Sequence, residues 1–216
     1  MALKYAAKPV VAAPFGRTFG GGAEVALHAT RCQATAELYM GLVEVGVGLI
    51  PGGGGCKELL LRLKDIRKVF ELIGKATVST SAAEAQSLGL LHREDRISMN
   101  QDRLIHDAKT LALSLVSTYE QKQPRTDIKV AGEGGYSLMK LGLWSMRQGG
   151  YITDYDMVVG EKLATVLSGG RLTGEQTVTE QHLLDLEREA FLSLLGQRKT
   201  QERMAHMLKT GKPLRN

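Results

Sequence analysis

Apolar residues in the first part of the chain fall in short runs separated by glycine. The run at residues 10–13 predicts a buried strand. A turn is expected around Gly16, and the glycine triplet after it predicts the start of a helix that ends at about Ala29. The helix is predicted to run from the triplet through Glu24. Small apolar side chains would lie on one of its faces, at Val25, Ala26 and Ala29. A short strand and a loop that carries Glu44 are expected over residues 37–47.

The pattern changes to helical spacing after residue 57. Apolar residues between positions 58 and 73 recur three and four apart, with an interruption near Asp65. A further helix is predicted to begin at Ser81, where Glu84 completes a capping box, and to end at Gly89.

From residue 101 onwards the pattern is almost entirely helical. One apolar stripe predicts a helix and consists of Leu104, Ile105, Ala108, Leu111, Leu115 and Val116. The stretch 120–135, which is rich in glycine, is predicted to be a linker. Four more helices are expected, over residues 136–148, 154–167, 179–195 and 200–209. Their predicted caps are Asp154, Thr179 and Thr200 at the N-termini and Gly169, Gly196 and Gly211 at the C-termini.

The composition favours a folded domain. With 216 residues, of which 43% are hydrophobic, the chain can bury a core. The 28 lysines and arginines against 23 acidic residues give a net charge of +5, without a basic run of the kind that binds nucleic acid. A modest positive field would suit an anionic substrate, such as one that bears phosphates.

Cysteine usage and hydropathy predict an ordinary intracellular protein. Cys32 and Cys56 form no CxxC pair and have no metal-ligating neighbours at the usual spacing, so buried, reduced thiols and no metal site are expected. A stretch of about 20 apolar residues and a signal peptide are both absent, which predicts a soluble, cytoplasmic protein without a membrane span.

The glycine-rich motifs do not match nucleotide-binding signatures. A phosphate-binding P-loop needs Ser or Thr directly after Gly-Lys, whereas Cys56 follows Gly55 here. Gly46 and Gly48 lack the third glycine of a dinucleotide-binding fingerprint. Neither nucleotide interpretation is therefore supported.

The glycine triplet Gly20, Gly21 and Gly22 lies directly before an apolar helix. Uncovered amides at a helix N-terminus can bind an anion or a developing oxyanion, although a tight turn that needs positive φ is the alternative explanation. Glu24 follows in the first helical turn, where the helix dipole favours a carboxylate. Glu44 lies in an apolar run, where a carboxylate is costly unless it is paired or used; an exposed loop position would explain it equally.

Four segments carry a family resemblance, and they cover about residues 8–92: KPVVAAPFG, FGGGAEVAL, YMGLVEVGVGLIPGGGG and SAAEAQSLGLL. Their order and spacing closely resemble the crotonase (enoyl-CoA hydratase/isomerase) superfamily. The later half, with LLDLEREAFLSLLG and TQERMAHMLKTGKPLRN, is similar to the tail of bacterial multifunctional 3-hydroxyacyl-CoA dehydrogenases whose last domain is crotonase-like.

The resemblance implies a role for each matching residue. Gly21 matches the helix-end amide that helps bind the thioester oxygen as an oxyanion, with Gly20 and Gly22 beside it at the substrate. Glu24 and Glu44 match the two hydratase glutamates, which flank the water added across the 2,3 double bond of a 2-enoyl-CoA. In the usual assignment Glu44 exchanges the proton at C2 and Glu24 activates the water. Members with only one of these glutamates tend to catalyse other reactions, so the presence of both favours hydration.

The resemblance also implies an α/β fold class, with a truncated crotonase-like ββα core at residues 1–100 and a mostly helical extension for oligomerisation at residues 101–216. Family members carry a second oxyanion amide and most of the CoA-binding loop ahead of the KPV strand. The chain alone is therefore expected to be a poor hydratase and to expose an apolar strand edge near Val10 and Val11. An acyl-CoA substrate is expected without a further cofactor, since NAD would belong to a dehydrogenase module outside this chain.

Two other functions remain open from the sequence. One is an acyl-CoA enzyme of another reaction type, such as an isomerase, which the positions of the two carboxylates relative to Gly21 would distinguish. The other is a catalytically incompetent assembly module, in which the helical half forms a homo-oligomer, since crotonases usually assemble as trimers or dimers of trimers through this region.

Overall fold

The computed structural model describes all 216 residues and has the mixed α/β composition expected from the sequence. Its α-helices are α1 Gly21–Leu27, α2 Gly55–Leu63, α3 Ile66–Gly74, α4 Ala82–Leu88, α5 Leu104–Leu115, α6 Gly132–Gln148, α7 Asp154–Leu167, α8 Glu180–Leu195 and α9 Arg198–Thr210. Its strands are β1 Val11–Ala12, β2 Gly16–Phe19, β3 Arg31–Thr35, β4 Leu38–Gly41, β5 Arg96–Ser98, β6 Ile128–Val130 and β7 Gln176–Val178. Short 3₁₀ helices span Glu44–Val47 and Gln101–Arg103. None of the helices is long and apolar enough to cross a membrane.

The chain divides into two compact units that alternate along the sequence. The first unit comprises Met1–Leu42 and Val78–Pro124, and the second comprises Val43–Thr77 and Arg125–Asn216. The resemblance implied a different division, at residue 100, between the part that matches the crotonase-like core and a helical extension. That division is not defined by compactness, and it stays a prediction.

The first unit is built on parallel strands. One sheet has the order β1-β3-β5, and a second pairs β2 with β4, all in parallel. Residues 32–35 of the central strand β3 are all buried, as expected for a parallel strand covered on both faces. The strand predicted at residues 10–13 is present as the short edge strand β1, but its residues are half-buried and not buried as predicted, because an edge strand has a neighbour on one side only.

Buried polar side chains tie the loops of the first unit to its strands. Asp95 accepts hydrogen bonds from the backbone N–H of Cys32 at 2.8 Å and of His92 at 2.7 Å. Ser79 accepts from the Met40 N–H at 3.0 Å. These contacts satisfy the buried N–H groups of Cys32 and Met40, and they fix the loops that precede α4 and β5.

The second unit is mostly helical, and its local sequence explains the helix ends. Asp65 both interrupts the helical pattern and caps α3, because its carboxylate accepts from the N–H groups of Arg67 and Lys68. The predicted break near this residue is confirmed. Thr179 caps α8 as predicted, but Thr153, rather than Asp154, caps α7 through a capping box with Asp156.

The predicted linker at residues 120–135 is wrong over its second half. Ile128 and Val130 are buried on either side of the exposed Lys129, and this alternation forms β6, which pairs with β7 in an antiparallel ladder. Both apolar residues join a cluster with Leu60 and Leu183. The glycines after β6 also belong to structure: α6 already begins at Gly132, whose φ of +56° and close approach to a carbonyl leave no room for a side chain.

Some predicted faces and caps need correction. Val25 is 53% exposed, so the apolar face of α1 is made by Ala23, Ala26 and Leu27 instead. In α5, Ile105 and Val116 are exposed, because the buried stripe follows Leu104, Ala108 and Leu111. At α4 the Ser81 cap is confirmed, but the Glu84 carboxylate returns to the N–H of Thr80, one residue earlier than a capping box requires.

The C-terminal caps are also mixed. Gly169 and Gly211 adopt positive φ after their helices, as predicted, whereas Gly196 ends α8 at a φ of −72° and needs no glycine geometry. Thr200 does not cap the last helix, which begins at Arg198 with Gln197 as its N-cap.

Candidate functional site

The glycine triplet forms a tight junction between β2 and α1 in the first unit. Gly20 has φ +54° and ψ −124°, which a side chain would strain; its N–H donates to the Gly41 carbonyl at 3.0 Å and its carbonyl accepts from Glu24 N–H at 2.9 Å. Gly21 and Gly22 are the first residues of α1, and both are exposed. The first amides of a helix have no acceptor within the helix, so these N–H groups are oriented along the helix axis towards whatever lies before it.

Space around this junction is open. A Cβ atom added at Gly21 would meet nothing within 4 Å, and one at Gly22 would meet only the Thr18 methyl group at 3.9 Å. The absence of side chains at these positions therefore leaves room for another group beside the backbone.

Glu24 lies one turn into α1 and is 8% exposed. Its backbone carbonyl accepts from the backbone N–H of His28 at 3.2 Å and from the Nδ1 atom of the His28 ring at 2.7 Å, which fixes the tautomer of that buried imidazole. The structure thus brings Gly20, Gly21, Gly22 and Glu24 together on the first turn of α1, where Glu24 is buried and the two glycines that begin the helix are exposed.

Glu44 lies in the second unit, at the start of the 3₁₀ helix Glu44–Val47. The residue is half-buried, and its Oε2 atom is fully covered. The helix ends at Gly48, which has φ +79°. The expectation that Glu44 shares one water with Glu24 stays a prediction of the resemblance.

A buried polar group from the last helices contacts the end of the Glu44 helix. Thr200 Oγ1 donates to the Gly48 carbonyl at 2.7 Å and lies 2.6 Å from the Tyr155 hydroxyl. Arg203 stacks on the Tyr155 ring with its guanidinium carbon 5.1 Å from the centroid, and it donates to Asp156 at 2.7 Å. This contact could not be predicted from the sequence, because a threonine near the start of a helix most often caps that helix.

Among the side chains around Thr200, Asp156 has a clearly shifted pKa. Burial raises the pKa of its carboxyl, but the hydrogen bond from the Thr153 N–H and the Arg203 guanidinium outweigh burial and hold the pKa below its usual value. The ion pair with Arg203 therefore persists at neutral pH.

The backbone after Glu44 also forms part of a cavity within the second unit. This cavity has a volume of about 480 Å³, and its mostly apolar walls include Val45, Gly46, Phe70, Leu143, Ile152 and Leu163.

The second glycine-rich loop is bound by the protein's own carboxylate. Glu187, fully buried on α8, accepts from Gly54 N–H at 2.9 Å and from Lys57 N–H at 3.3 Å at the start of α2. An internal anion thus occupies the position that a phosphate takes in a P-loop. Gly52 is needed for packing, because a Cβ atom there would lie 2.7 Å from the Phe191 ring.

Lys57 is fully buried beside this loop. Its ammonium group pairs with Glu58 and, at 2.8 Å, with Glu180, and both partners are buried as well.

Cys32 and Cys56 are buried as predicted and form no disulfide. Of the buried charged residues, only Glu24 was singled out from the sequence, because the charges of α2 and α8 occupy ordinary helical positions.

The fold defines the class of protein. The chain superposes on an enoyl-CoA hydratase from Mycobacterium avium subsp. paratuberculosis K-10 with a TM-score of 0.61, over 100% of this chain and 68% of that one, at 16% sequence identity. The chain therefore has the crotonase-type enoyl-CoA hydratase fold, which confirms the resemblance of the four sequence segments. No protein-family model matches the chain.

Sequence relatives give a more particular placement. A Bacillus subtilis (strain 168) protein named "Probable 3-hydroxyacyl-CoA dehydrogenase" is 51% identical over 224 residues, which cover 100% of this chain and 28% of that protein. A second protein of that organism, named "Probable enoyl-CoA hydratase", is 34% identical over 119 residues, or 55% of this chain and 43% of the relative. The chain is thus homologous to a part of a 3-hydroxyacyl-CoA dehydrogenase and spans little more than a quarter of its length, as the later helical half suggested.

Proposed function

We propose that this chain is the enoyl-CoA hydratase domain of a fatty-acid β-oxidation enzyme, which adds water across the 2,3 double bond of a 2-enoyl-CoA. The observation that supports the proposal is the first turn of α1, where Gly21 and Gly22 are exposed and Glu24, two to three residues later, is buried. The enoyl-CoA hydratase fold and the names of both sequence relatives support it.

Hydration of an enoyl thioester needs an acid, a base and a donor to the carbonyl oxygen. The Gly21 N–H donates to the thioester oxygen, where negative charge develops as water attacks C3. Glu24 takes a proton from that water, and Glu44 delivers a proton to C2, so that the elements of one water molecule are added. Gly20 and Gly22 let the substrate approach the backbone. The reaction is redox-neutral, and we therefore propose no further cofactor beyond the CoA thioester itself.

The test replaces each carboxylate by its uncharged isostere. Glu24→Gln and Glu44→Gln should each lower the turnover of crotonyl-CoA hydration by about 10²-fold or more, the usual scale for loss of a general acid or base. The assay follows loss of the enoyl thioester absorbance in the longest natural form of the protein that carries this chain. Glu189→Gln, an exposed change on α8, is the matched control and should leave turnover unchanged.

Near-normal turnover in either glutamate variant would remove that residue from the mechanism. Melting temperatures measured alongside show whether a loss of turnover reflects unfolding. An enoyl-CoA isomerase would instead retain activity towards a 3-enoyl-CoA in one of the two variants, which the same preparations can test.

The proposal extends to assembly and location. Exposed apolar residues on α6, Leu138, Leu141 and Trp144, support a homo-oligomer, and light scattering on the purified protein measures its size directly. We propose a cytoplasmic location from the composition, and cell fractionation tests it.

A further inference from the structure

The 3₁₀ helix that begins at Glu44 is held at its far end by one residue. The Gly48 N–H donates to the carbonyls of Glu44 and Val45, and the Leu49 N–H donates to the Glu44 carbonyl at 3.1 Å. The carbonyl of Gly48 accepts from Thr200 Oγ1 at 2.7 Å. Gly48 therefore connects the Thr200 side chain directly to the backbone of Glu44.

Thr200 is itself held in place. It is completely buried, and its hydroxyl lies 2.6 Å from the hydroxyl of Tyr155. Because Thr200 uses its one proton on the Gly48 carbonyl, the Tyr155 hydroxyl must donate to Thr200. Tyr155 is only 6% exposed, and Arg203 covers its ring. The two hydroxyls thus form a directed chain that ends on the Glu44 helix.

The fit around Gly48 leaves little freedom. A Cβ atom added there would lie 2.9 Å from Thr200 Oγ1 and 3.2 Å from both Arg203 Cδ and Tyr155 Cε1. The φ of +79° also favours glycine at this position. The contact is therefore close on every side, and loss of the Thr200 hydroxyl removes the hydrogen bond that holds the Gly48 carbonyl in place, so the end of the 3₁₀ helix can shift.

We propose that Thr200, oriented by Tyr155, is a positioning residue for Glu44, which sets where that carboxylate stands for proton transfer at C2. This inference rests on the proposed function, in which Glu44 exchanges the C2 proton. A misplacement of a reacting group by about 1 Å can cost about 10²-fold in rate. Thr200 is linked to the Glu44 backbone through Gly48, so a small shift at this contact is enough to lower turnover.

The test removes the hydroxyl and keeps the shape. Thr200→Val should lower kcat for crotonyl-CoA hydration by about 10-fold to 10²-fold while KM changes by less than about threefold, because the substrate contacts are made elsewhere. Thr200→Ser, which restores the donor, should recover most of the turnover. Tyr155→Phe should lower kcat in the same direction by a smaller factor. All are measured in the longest natural form of the protein.

A control separates positioning from stability. Thr179→Val removes the N-cap of α8 in the same unit, where the hydroxyl accepts from the His182 N–H at 3.0 Å. This change should cost comparable stability and leave kcat unchanged. Amide hydrogen exchange adds a readout independent of activity: the N–H groups of Gly48 and Leu49 should exchange about tenfold faster in Thr200→Val, and at the wild-type rate in Thr179→Val.

The outcomes separate this inference from the proposed function. Normal turnover in Glu44→Gln would remove the role of Glu44, and the inference with it. A strong loss in Glu44→Gln together with normal kcat in Thr200→Val would overturn the inference alone. If Thr200→Val does not fold, Tyr155→Phe decides, since unchanged kcat and unchanged Gly48 exchange in that variant would equally overturn it.

Discussion

Lys57 offers the sharpest test of how the second unit is stabilised. Its side chain and that of Glu180 are both 0% exposed, with a separation of 2.8 Å between Nζ and Oε1, and Glu58 pairs with the same ammonium group. Replacing Lys57 by methionine keeps most of the side-chain volume and removes the cation that pairs with both of these buried carboxylates. Breaking a buried ion pair from one side typically costs about 3–5 kcal/mol, because the remaining charge is left uncompensated.

That magnitude is large for a protein of this size. Domains are usually stable by about 5–15 kcal/mol, and a slope near 3 kcal/mol per M urea implies that the denaturation midpoint should fall by more than about 1 M in Lys57→Met. The assay is urea denaturation followed by circular dichroism at the helical band. Glu180→Gln removes one of the stranded charges and keeps an oxygen that can accept from the Arg125 N–H, now bonded to the carboxylate at 3.1 Å.

The double variant distinguishes an uncompensated charge from lost packing as the cause of the lower stability. If charge imbalance is the cause, Lys57→Met with Glu180→Gln should be more stable than Lys57→Met alone, by about 1 kcal/mol or more. Additive losses in the double variant would show that packing, and not charge, accounts for the cost. If Lys57→Met lowers the free energy of unfolding by less than about 1 kcal/mol, water must solvate Glu58 and Glu180 once the ammonium group is removed.

Two further predictions concern local contacts. Ser81→Ala should lower stability by about 1 kcal/mol through loss of the α4 cap, whereas the exposed Ser87→Ala should change it by less than about 0.5 kcal/mol; the same urea experiment measures both. The pKa of Asp156 lies below its ordinary value of 3.8, so its ion pair with Arg203 stabilises the fold above that value and is lost as the pH falls through the lowered pKa. Stability measured from about pH 6 to about pH 3 should therefore fall more steeply in the wild type than in Asp156→Asn, and equal slopes would contradict the assignment.

The helices of this chain were predictable because their signals are local. Asp65 interrupts the apolar spacing and caps the next helix within three residues, and Ser81 and Thr179 do the same. The glycine turn that begins α1 is equally local, which is why Gly21 and Glu24 could be placed on one turn from the sequence.

Contacts between distant segments were not predictable in the same way. The sequence pattern does not predict β6, because a strand of three residues between Pro124 and the glycines from Gly132 onwards gains its stability from β7, whose register pairs Ile128 with Val178. The spacing predicts Thr200 as a helix cap, because spacing alone does not distinguish a hydroxyl that caps its own helix from one that, like Thr200, donates to a distant carbonyl. Glu187 carries no local sign that it binds the N-terminus of α2.

The distance in sequence between Gly48 and Thr200 has a consequence for biosynthesis. These residues are 152 positions apart, and Gly54 and Glu187 are 133 apart, so the segment from Gly48 to Gly54 cannot make these contacts until Glu187 and Thr200 have been synthesised. A ribosome adds about 5–20 residues per second, so the segment that carries Glu44 lacks the Thr200 contact for roughly 8 to 30 seconds. The residues that form the first unit here have, by contrast, all emerged once Pro124 has left the ribosome. Nascent chains of this protein therefore pass through a stage with one finished unit and one open unit, and this interval is when chaperones and proteases have access to the Glu44 segment.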